Sequence, residues 1–208
     1  MRARELQQVP FEGSSGRSQR QPAYSLFETA LGLCAIVWKT CEGEGQDPIL
    51  VSGFQLPEAT PELAELRLRS RWPAQRALRV PPPIQNIIER VRLHFEGKVQ
   101  DFSDINLELE GVRKFSQQVY AAARTIPAGR TMTYGQLARA AGSAGAARAV
   151  GSALSRNPIP LIIPCHRVLA AGNKPGGFSA HGGLRTKAQL LKIEGAPVPD
   201  FGDCDRES

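Results

Sequence analysis

The sequence predicts a mixed α/β (α+β) protein in two parts: a small sheet-plus-helix domain over residues 23–110, then a mostly helical domain over 111–198 with a helix-turn-helix-like pair. Three observations carry that prediction. Apolar runs with β-branched and aromatic content cluster in the first half. Helical periodicity, closely punctuated by Gly and Pro, fills the second. Charge also segregates: residues 112–198 hold twelve Lys and Arg against one acid, Glu194, a net +11, whereas residues 1–111 sum to −2 and 199–208 to −3. Such a block repels itself unless a polyanion is its partner, which is the electrostatic footprint of a nucleic-acid surface.

Residues 1–22 are polar and aperiodic and read as a tail. SLFETALGLCAIVWKT and DPILVSGFQL then read as a hairpin or small sheet, with CEGEGQD as the turn-rich gap between them. In TPELAELRLRSRW, Thr60 caps a helix, Pro61 takes its first position, and Leu63, Leu66 and Leu68 form its apolar stripe. After the triple proline at 81–83, a second helix carries Ile84, Ile87, Ile88, Val91 and Phe95 on one side. DFSDINLELEG reads as a further strand and a linker, with the domain boundary near Gly111.

In the second half, VRKFSQQVYAAARTI places Phe115, Val119, Ala122 and Ile126 at helical spacing. Thr133 caps a short helix that stops at Gly142, and Ser143 caps the next, which must end at Asn157 because Pro158 follows. Two short helices around a glycine turn make a helix-turn-helix pattern, a weak signal that gains weight inside the +11 block. An acidic tail closes the chain over 199–208.

A chain of 208 residues with 41% hydrophobic and 22% charged residues is that of an ordinary globular protein. No apolar stretch approaches the roughly 20 residues of a membrane span, and the first 25 residues lack the apolar core of a signal peptide. Four scattered cysteines do not form a disulfide framework, which points to a reducing compartment.

The densest chemistry lies in NPIPLIIPCHRV. Pro158, Pro160 and Pro164 forbid a helix there, so Cys165 sits at the mouth of a short buried segment. A thiol beside His166 and Arg167 has the neighbours that lower a cysteine pKa. A direct Cys165–His166 bond is not implied, since adjacent side chains diverge; a bridging water or a tight turn is needed. Downstream, GNKPGGFSAHGG allows close approach of a ligand, and a helix follows that ends at Glu194. A carboxylate near a helix C-terminus is unfavourable by up to about 1 kcal/mol, so Glu194 calls for a specific partner. The relay these residues suggest has Glu194 orienting His166, which takes the Cys165 proton. Replacing Glu194 by Gln is then expected to slow the chemistry without unfolding the chain.

PCHRV, preceded by NPIPLIIP and followed by GGFSAHGGLRTKAQLL and IEGA, resembles the active-site signature of the 6-O-alkylguanine-DNA alkyltransferases, the methylated-DNA--protein-cysteine methyltransferase family. The resemblance covers residues 110–196 and includes TYGQLARAAG and AARAVGSAL; the N-terminal half resembles the family's smaller α/β domain loosely. It implies DNA repair by single-turnover, stoichiometric transfer of a methyl or alkyl group from 6-O-alkylguanine, and also 4-O-alkylthymine, to Cys165. It further implies His166 acting through a water, Glu194 fixing the imidazole, Asn157 as the hinge, and Tyr134 helping to rotate the nucleotide out and assisting the leaving guanine. Arg148 would replace the flipped nucleotide in the base stack. Ala146, Ala147 and Gly151 would let the second helix approach the minor groove, and Ser116 would join the DNA surface. Pro160, Ser179 and the Cys165 and Val168 carbonyls would form the base pocket. The implied partner is double-stranded DNA carrying alkylated guanine, with no cofactor, no metal and no membrane. The protein would act as a monomer, in the cytoplasm of a bacterium or the nucleus of a eukaryote, and without the metal-dependent methylphosphotriester domain of some relatives.

Taken singly, Arg148 reads equally well as a surface arginine, Tyr134 as packing and Asn157 as a turn residue before proline. Cys34 reads as a small core residue, Cys204 as exposed in the acidic tail, and Cys34, Cys41 and His94 as a poorly spaced zinc set. Two other functions stay open. One is a non-catalytic DNA binder, either a helix-turn-helix regulator or an alkyltransferase-like protein, although such look-alikes replace the cysteine. The other is a cysteine hydrolase, which leaves the +11 block unexplained.

Overall fold

Alternation within the first apolar run builds a sheet covered on both faces. β1 (Ala23–Thr29) turns through two residues into β2 (Gly32–Thr40), and they pair antiparallel from Ala23↔Trp38 to Thr29↔Gly32. The first run thus forms a hairpin of its own within the expected small sheet. Its turn carries no Asn-Gly signal and rests on Gly32, whose φ of +116° suits glycine. β3 (Ile49–Gln55) flanks β2 antiparallel, and β4 (Gln75–Arg76) adds to β1 in parallel, giving the order β3-β2-β1-β4. The computed structural model describes residues 21–40 and 48–199. The expected tail up to residue 20, CEGEGQD with Cys41, and residues 200–208 with Cys204 lie outside the described residues.

On β2, Cys34, Ile36 and Trp38 join Phe27 and Phe54 under α2 (Pro82–Phe95), while Ala35 and Val37 face Leu68 and Trp72 at the α1 side. α1 (Pro61–Arg71) begins as expected, with the Thr60 hydroxyl accepting from the Leu63 N–H. Its stripe is different. Ala64 and Leu68, one turn apart, are buried, whereas Leu63 and Leu66 are 48% and 66% exposed. Only the 64/68 ridge meets the sheet. Gly53 in β3 lies against the Trp72 indole, where a Cβ would come within 2.5 Å of Cε2. Gly53→Ala should therefore destabilise the protein by about 1–3 kcal/mol through overpacking, read by denaturant unfolding.

The strand expected in DFSDINLELEG shrinks to one parallel bridge, Val51↔Leu107, held by Val51 N–H to Asn106 O and Glu108 N–H to Val51 O, both 2.9 Å. Phe102 and Ile105 are buried in the core and draw the chain away from a longer ladder.

α3 (Lys114–Arg124) buries Ser116, Val119, Tyr120 and Ala123. Its inner face is rotated from the expected one, which included the partly buried Phe115 and Ala122. Tyr120 is the reason: its hydroxyl reaches across to the Ala153 carbonyl at 2.9 Å. β5 (Met132–Thr133) leads into α4 (Tyr134–Ala140), capped by Thr133 with a reciprocal Gln136 bond. α5 (Ala147–Leu154) starts later than expected and ends before Asn157. Ser143 is not its cap; the Ser143 N–H closes the end of α4 on Ala138 O, and its carbonyl accepts from Ala146. β6 (Val168–Leu169) pairs parallel with β5, and α6 (Leu184–Ile193) ends at Glu194. One hydrophobic cluster, from Phe27 to Leu190, runs through both halves.

Candidate active site

The proline-rich segment before the thiol is a knot tied by one side chain. Asn157 donates from Nδ2 to Ile163 O at 2.8 Å and accepts at Oδ1 from Ile159 N–H at 2.9 Å. Leu161 between them has φ +73°, a conformation that costs a non-glycine residue about 1–3 kcal/mol. From the N-terminal half, Arg71 Nη2 donates to Asn157 O at 2.7 Å and Phe54 N–H donates to Pro158 O at 3.0 Å. This knot delivers Cys165 to the start of a tight turn, Cys165–Arg167, in which all three residues are buried.

Behind the thiol lies a buried ionic hub centred on Glu194. His166 Nε2 is 2.9 Å from Glu194 Oε1, and Arg167 grips the carboxylate with Nε and Nη2 at 2.9 and 2.8 Å. Arg167 Nη1 also donates to Ile126 O at 2.5 Å. His94, from α2, accepts the Gln100 N–H at Nδ1, so its proton sits on Nε2, 3.2 Å from Glu194 Oε1 but poorly aligned for a hydrogen bond. Burial would raise the Glu194 carboxyl, but the His166 and His94 rings and Arg167 outweigh it and hold the acid well below its ordinary range. Burial lowers the His166 pKa despite Glu194, so the ring is neutral at pH 7. With its proton on Nε2 toward Glu194, Nδ1 is a buried acceptor with no hydrogen-bond partner among the described residues.

The expected lowering of the Cys165 pKa is overturned. Burial pushes the thiol up; the Asn157 amide and Lys187 only partly offset this. Its two neighbouring bases do not help, because His166 is neutral and Arg167 turns away to Glu194.

Across the thiol, Tyr134 packs over the glycine loop so closely that a Cβ on Gly176 would lie 2.8 Å from its ring. Burial raises the Tyr134 phenol, which therefore remains a proton donor. Lys187 in α6 is fully buried and donates to Val168 O and Pro175 O, both at 2.6 Å, pinning this loop; burial lowers its pKa to about 8. Val168 O thus already serves one donor. Two cavities meet at Cys165: one of about 250 Å³ lined by Tyr134, Gly151 and Ser179, and a cleft of about 580 Å³ lined by Pro160, Asn157, Ser179 and side chains of the N-terminal half. On α5, Arg148 is exposed and its side chain makes no hydrogen bond or ion pair among the described residues, flanked by partly exposed Ala146, Ala147 and Gly151.

Sequence reasoning thus brought Cys165, His166, Glu194, Tyr134, Asn157, Pro160, Val168 and Ser179 together around one thiol. Ser116 departs from its expected place on the DNA surface: it is only 6% exposed, on the core side of α3. Cys34 is a buried core thiol pushed up to about 12, and His94 is turned to Glu194, so neither supports the zinc set. Among the described residues no group of three His, Cys, Asp or Glu could hold a metal. The reading missed His94, Lys187 and Arg71 as site residues, and it set Arg167 beside the thiol where the structure turns it to Glu194. Glu194 as the lone acid of a basic block signalled that some cation must meet it; nothing in the spacing singled out the others.

A helix pair with an exposed arginine beside a thiol backed by a histidine and a glutamate is the architecture of a DNA-repair methyltransferase, and the comparisons with known proteins agree. The family model described as 6-O-methylguanine DNA methyltransferase, DNA binding domain, matches residues 114–196. The methylated-DNA--protein-cysteine methyltransferase of Mycolicibacterium paratuberculosis is 34% identical over 171 residues, 82% of this chain and 91% of that protein. That of Haemophilus influenzae is 38% identical over 154 residues, 74% of this chain and 83% of its own. The structure of Mycobacterium tuberculosis OGT in complex with DNA superposes with a TM-score of 0.62 at 31% identity, covering 84% of this chain and 95% of that one. The O6-methylguanine-DNA methyltransferase of Pyrococcus kodakaraensis gives a TM-score of 0.60 at 26% identity, covering 85% and 100%. The chain belongs to the methylated-DNA--protein-cysteine methyltransferase family.

Proposed function

We propose that this protein repairs DNA directly, moving the alkyl group of 6-O-alkylguanine, and of 4-O-alkylthymine, irreversibly to Cys165. One observation carries the assignment of roles: His166 presents a buried, unpartnered Nδ1 while its Nε2 is held by an ionised Glu194, at the thiol where two cavities meet. On substrate entry the Cys165 proton passes through a water to Nδ1, and Glu194 stabilises the imidazolium that forms. Sγ then attacks the alkyl carbon in line, the carbon–O6 bond breaks, and Tyr134 protonates the leaving guanine. Pro160, Ser179 and the Cys165 and Val168 carbonyls hold the base, with Asn157 keeping the knot that aims the thiol. The half over 23–110 buttresses this site, and the half over 111–198 carries the chemistry and the DNA surface.

DNA approaches through the minor groove, where the small Ala146, Ala147 and Gly151 permit close contact by a monomer. No helix among the described residues is long and apolar enough to cross a membrane. Mass spectrometry after incubation with a duplex containing 6-O-methylguanine tests the assignment. One methyl group should appear on the peptide carrying Cys165, one per protein molecule; an unmodified Cys165, or turnover beyond one equivalent, would refute it.

Arg148 supplies a second test. As the plug of the hole left by a flipped base, its loss in Arg148→Ala should slow repair of duplex DNA by an amount on the order of the few kcal/mol that extrusion costs. Transfer from free 6-O-methylguanine should be nearly unchanged. Equal losses on both substrates would exclude the plug, and a uniform loss of DNA affinity with a salt slope smaller by about one would mark a phosphate contact.

A further inference from the structure

The cleft continues past the thiol onto a wall of charged side chains. Arg67 and Arg71 reach it from α1, Glu58 from the loop before α1, and Arg156 from the turn after α5. Glu58 is paired with Arg67 at 2.9 Å. Arg71 and Arg156 have no carboxylate partner among the described residues, so the wall carries two uncompensated positive charges. Arg71 is held in place: one nitrogen donates to Asn157 O at 2.7 Å, and the guanidinium lies 4.8 Å from the Trp72 ring centre. A guanidinium has five N–H donors, so others remain for a ligand. Partial burial and the nearby Arg67 make its charge costly, a cost that a bound anion would offset.

Cys165 and Ser179 line both cavities, so a base held by Ser179 beside Tyr134 and Gly151, with Pro160 on its cleft side, directs its O6 substituent past the thiol into this cleft. We infer that the cleft is the substituent subsite and favours O6 groups ending in a carboxylate, so that 6-O-carboxyalkylguanine is a preferred substrate class. The inference rests on the alkyltransferase reading above. A thiolate attacking a carbon that bears an anionic tail meets like-charge repulsion, which Arg71 and Arg156 reduce. In the step, the Sγ–carbon bond forms as the carbon–O6 bond breaks. The electron pair leaves with guanine, which gains a proton in place of the one the thiol lost, and the carboxylate passes unchanged to the protein as part of the thioether.

The test compares transfer rates for duplexes carrying 6-O-carboxymethylguanine or 6-O-(4-carboxybutyl)guanine with those carrying the matching neutral carboxamides, using 6-O-methylguanine duplex as reference. At one or both tether lengths the carboxylate should react about tenfold faster than its amide, the scale of one hydrogen bond to a charged group. In Arg156→Gln and in Arg71→Gln/Arg156→Gln that ratio should fall toward one; because it compares two substrates in one protein, a general loss of rate cancels. Amides that match or outpace carboxylates at both lengths, with methyl transfer intact, would overturn the subsite. So would an Arg156→Gln variant that binds every duplex more weakly yet keeps the ratio, since the cation would then serve a DNA phosphate. Loss of methyl transfer in the unmodified protein would instead sink the alkyltransferase reading itself.

Discussion

Replacing Cys165 by alanine should abolish alkyl transfer completely while binding to duplex DNA survives. The thiol is the acceptor atom, and no other described side chain can take its place. Cys34 is the other described cysteine, but it is buried in β2 with its thiol pushed up to about 12. The proposed DNA surface on α5 does not depend on the sulfur. Removing one buried sulfur atom should cost about 1 kcal/mol, small against a domain's total stability. Gel shift and mass spectrometry on the same duplex separate the two properties. Methyl transfer persisting in the alanine protein would show that Cys165 is not the acceptor.

Glu194→Gln should have the second largest effect, and on two properties at once. To the slower chemistry expected from the sequence, the structure adds a cost in stability. Glu194 neutralises the buried Arg167 and anchors His166, and breaking such a buried pair costs about 3–5 kcal/mol. Its depressed pKa sets the sign of the pH dependence. The stabilisation from Glu194 is fully present above its ordinary value of 4.5 and is lost as pH falls below it. His166 adds an earlier loss: its pKa is lowered by burial, so below about 6.5 the unfolded chain takes up a proton that the folded ring refuses. Denaturant unfolding of the unmodified protein should therefore show stability declining from about pH 6.5 and falling more steeply below about 4.5. The Gln variant should be less stable at pH 7 and flatter below 4.5. Transfer should also slow by about 10²–10⁴, the range of a lost general base, with its pH–rate profile moved to higher pH. A variant as stable as the original at pH 7, or an unchanged pH–rate profile, would remove Glu194 from the hub or from the relay.

Local signals account for what was legible. Helix α2 announces itself through the spacing of Ile84, Ile87, Ile88, Val91 and Phe95, because one face of a helix must be apolar to be buried. The caps of α1 and α4 are legible because Thr60 and Thr133 satisfy orphan backbone donors within their own turns. The β1–β2 turn was hidden because Gly32 sits outside the usual dipeptide signals, and the α1 stripe was misread because Leu63 and Leu66 have the right chemistry on the wrong side.

By itself the sequence determined the mixed α/β class, the basic half with its helix pair, and the residues of the thiol site that lie in one continuous signature. Each of these depends on neighbours a few positions away, and that range is what periodicity, capping and motif spacing measure. Only the tertiary structure decided the state of the thiol and the composition of its surroundings. Cys165 is protonated because the whole core desolvates it, which no adjacent residue reveals. His94 and Arg71 reach Glu194 and Asn157 across roughly half the chain, so no spacing rule could place them. Desolvation and long-range pairing depend on all the atoms packed around a group, and that packing exists only once the chain is folded.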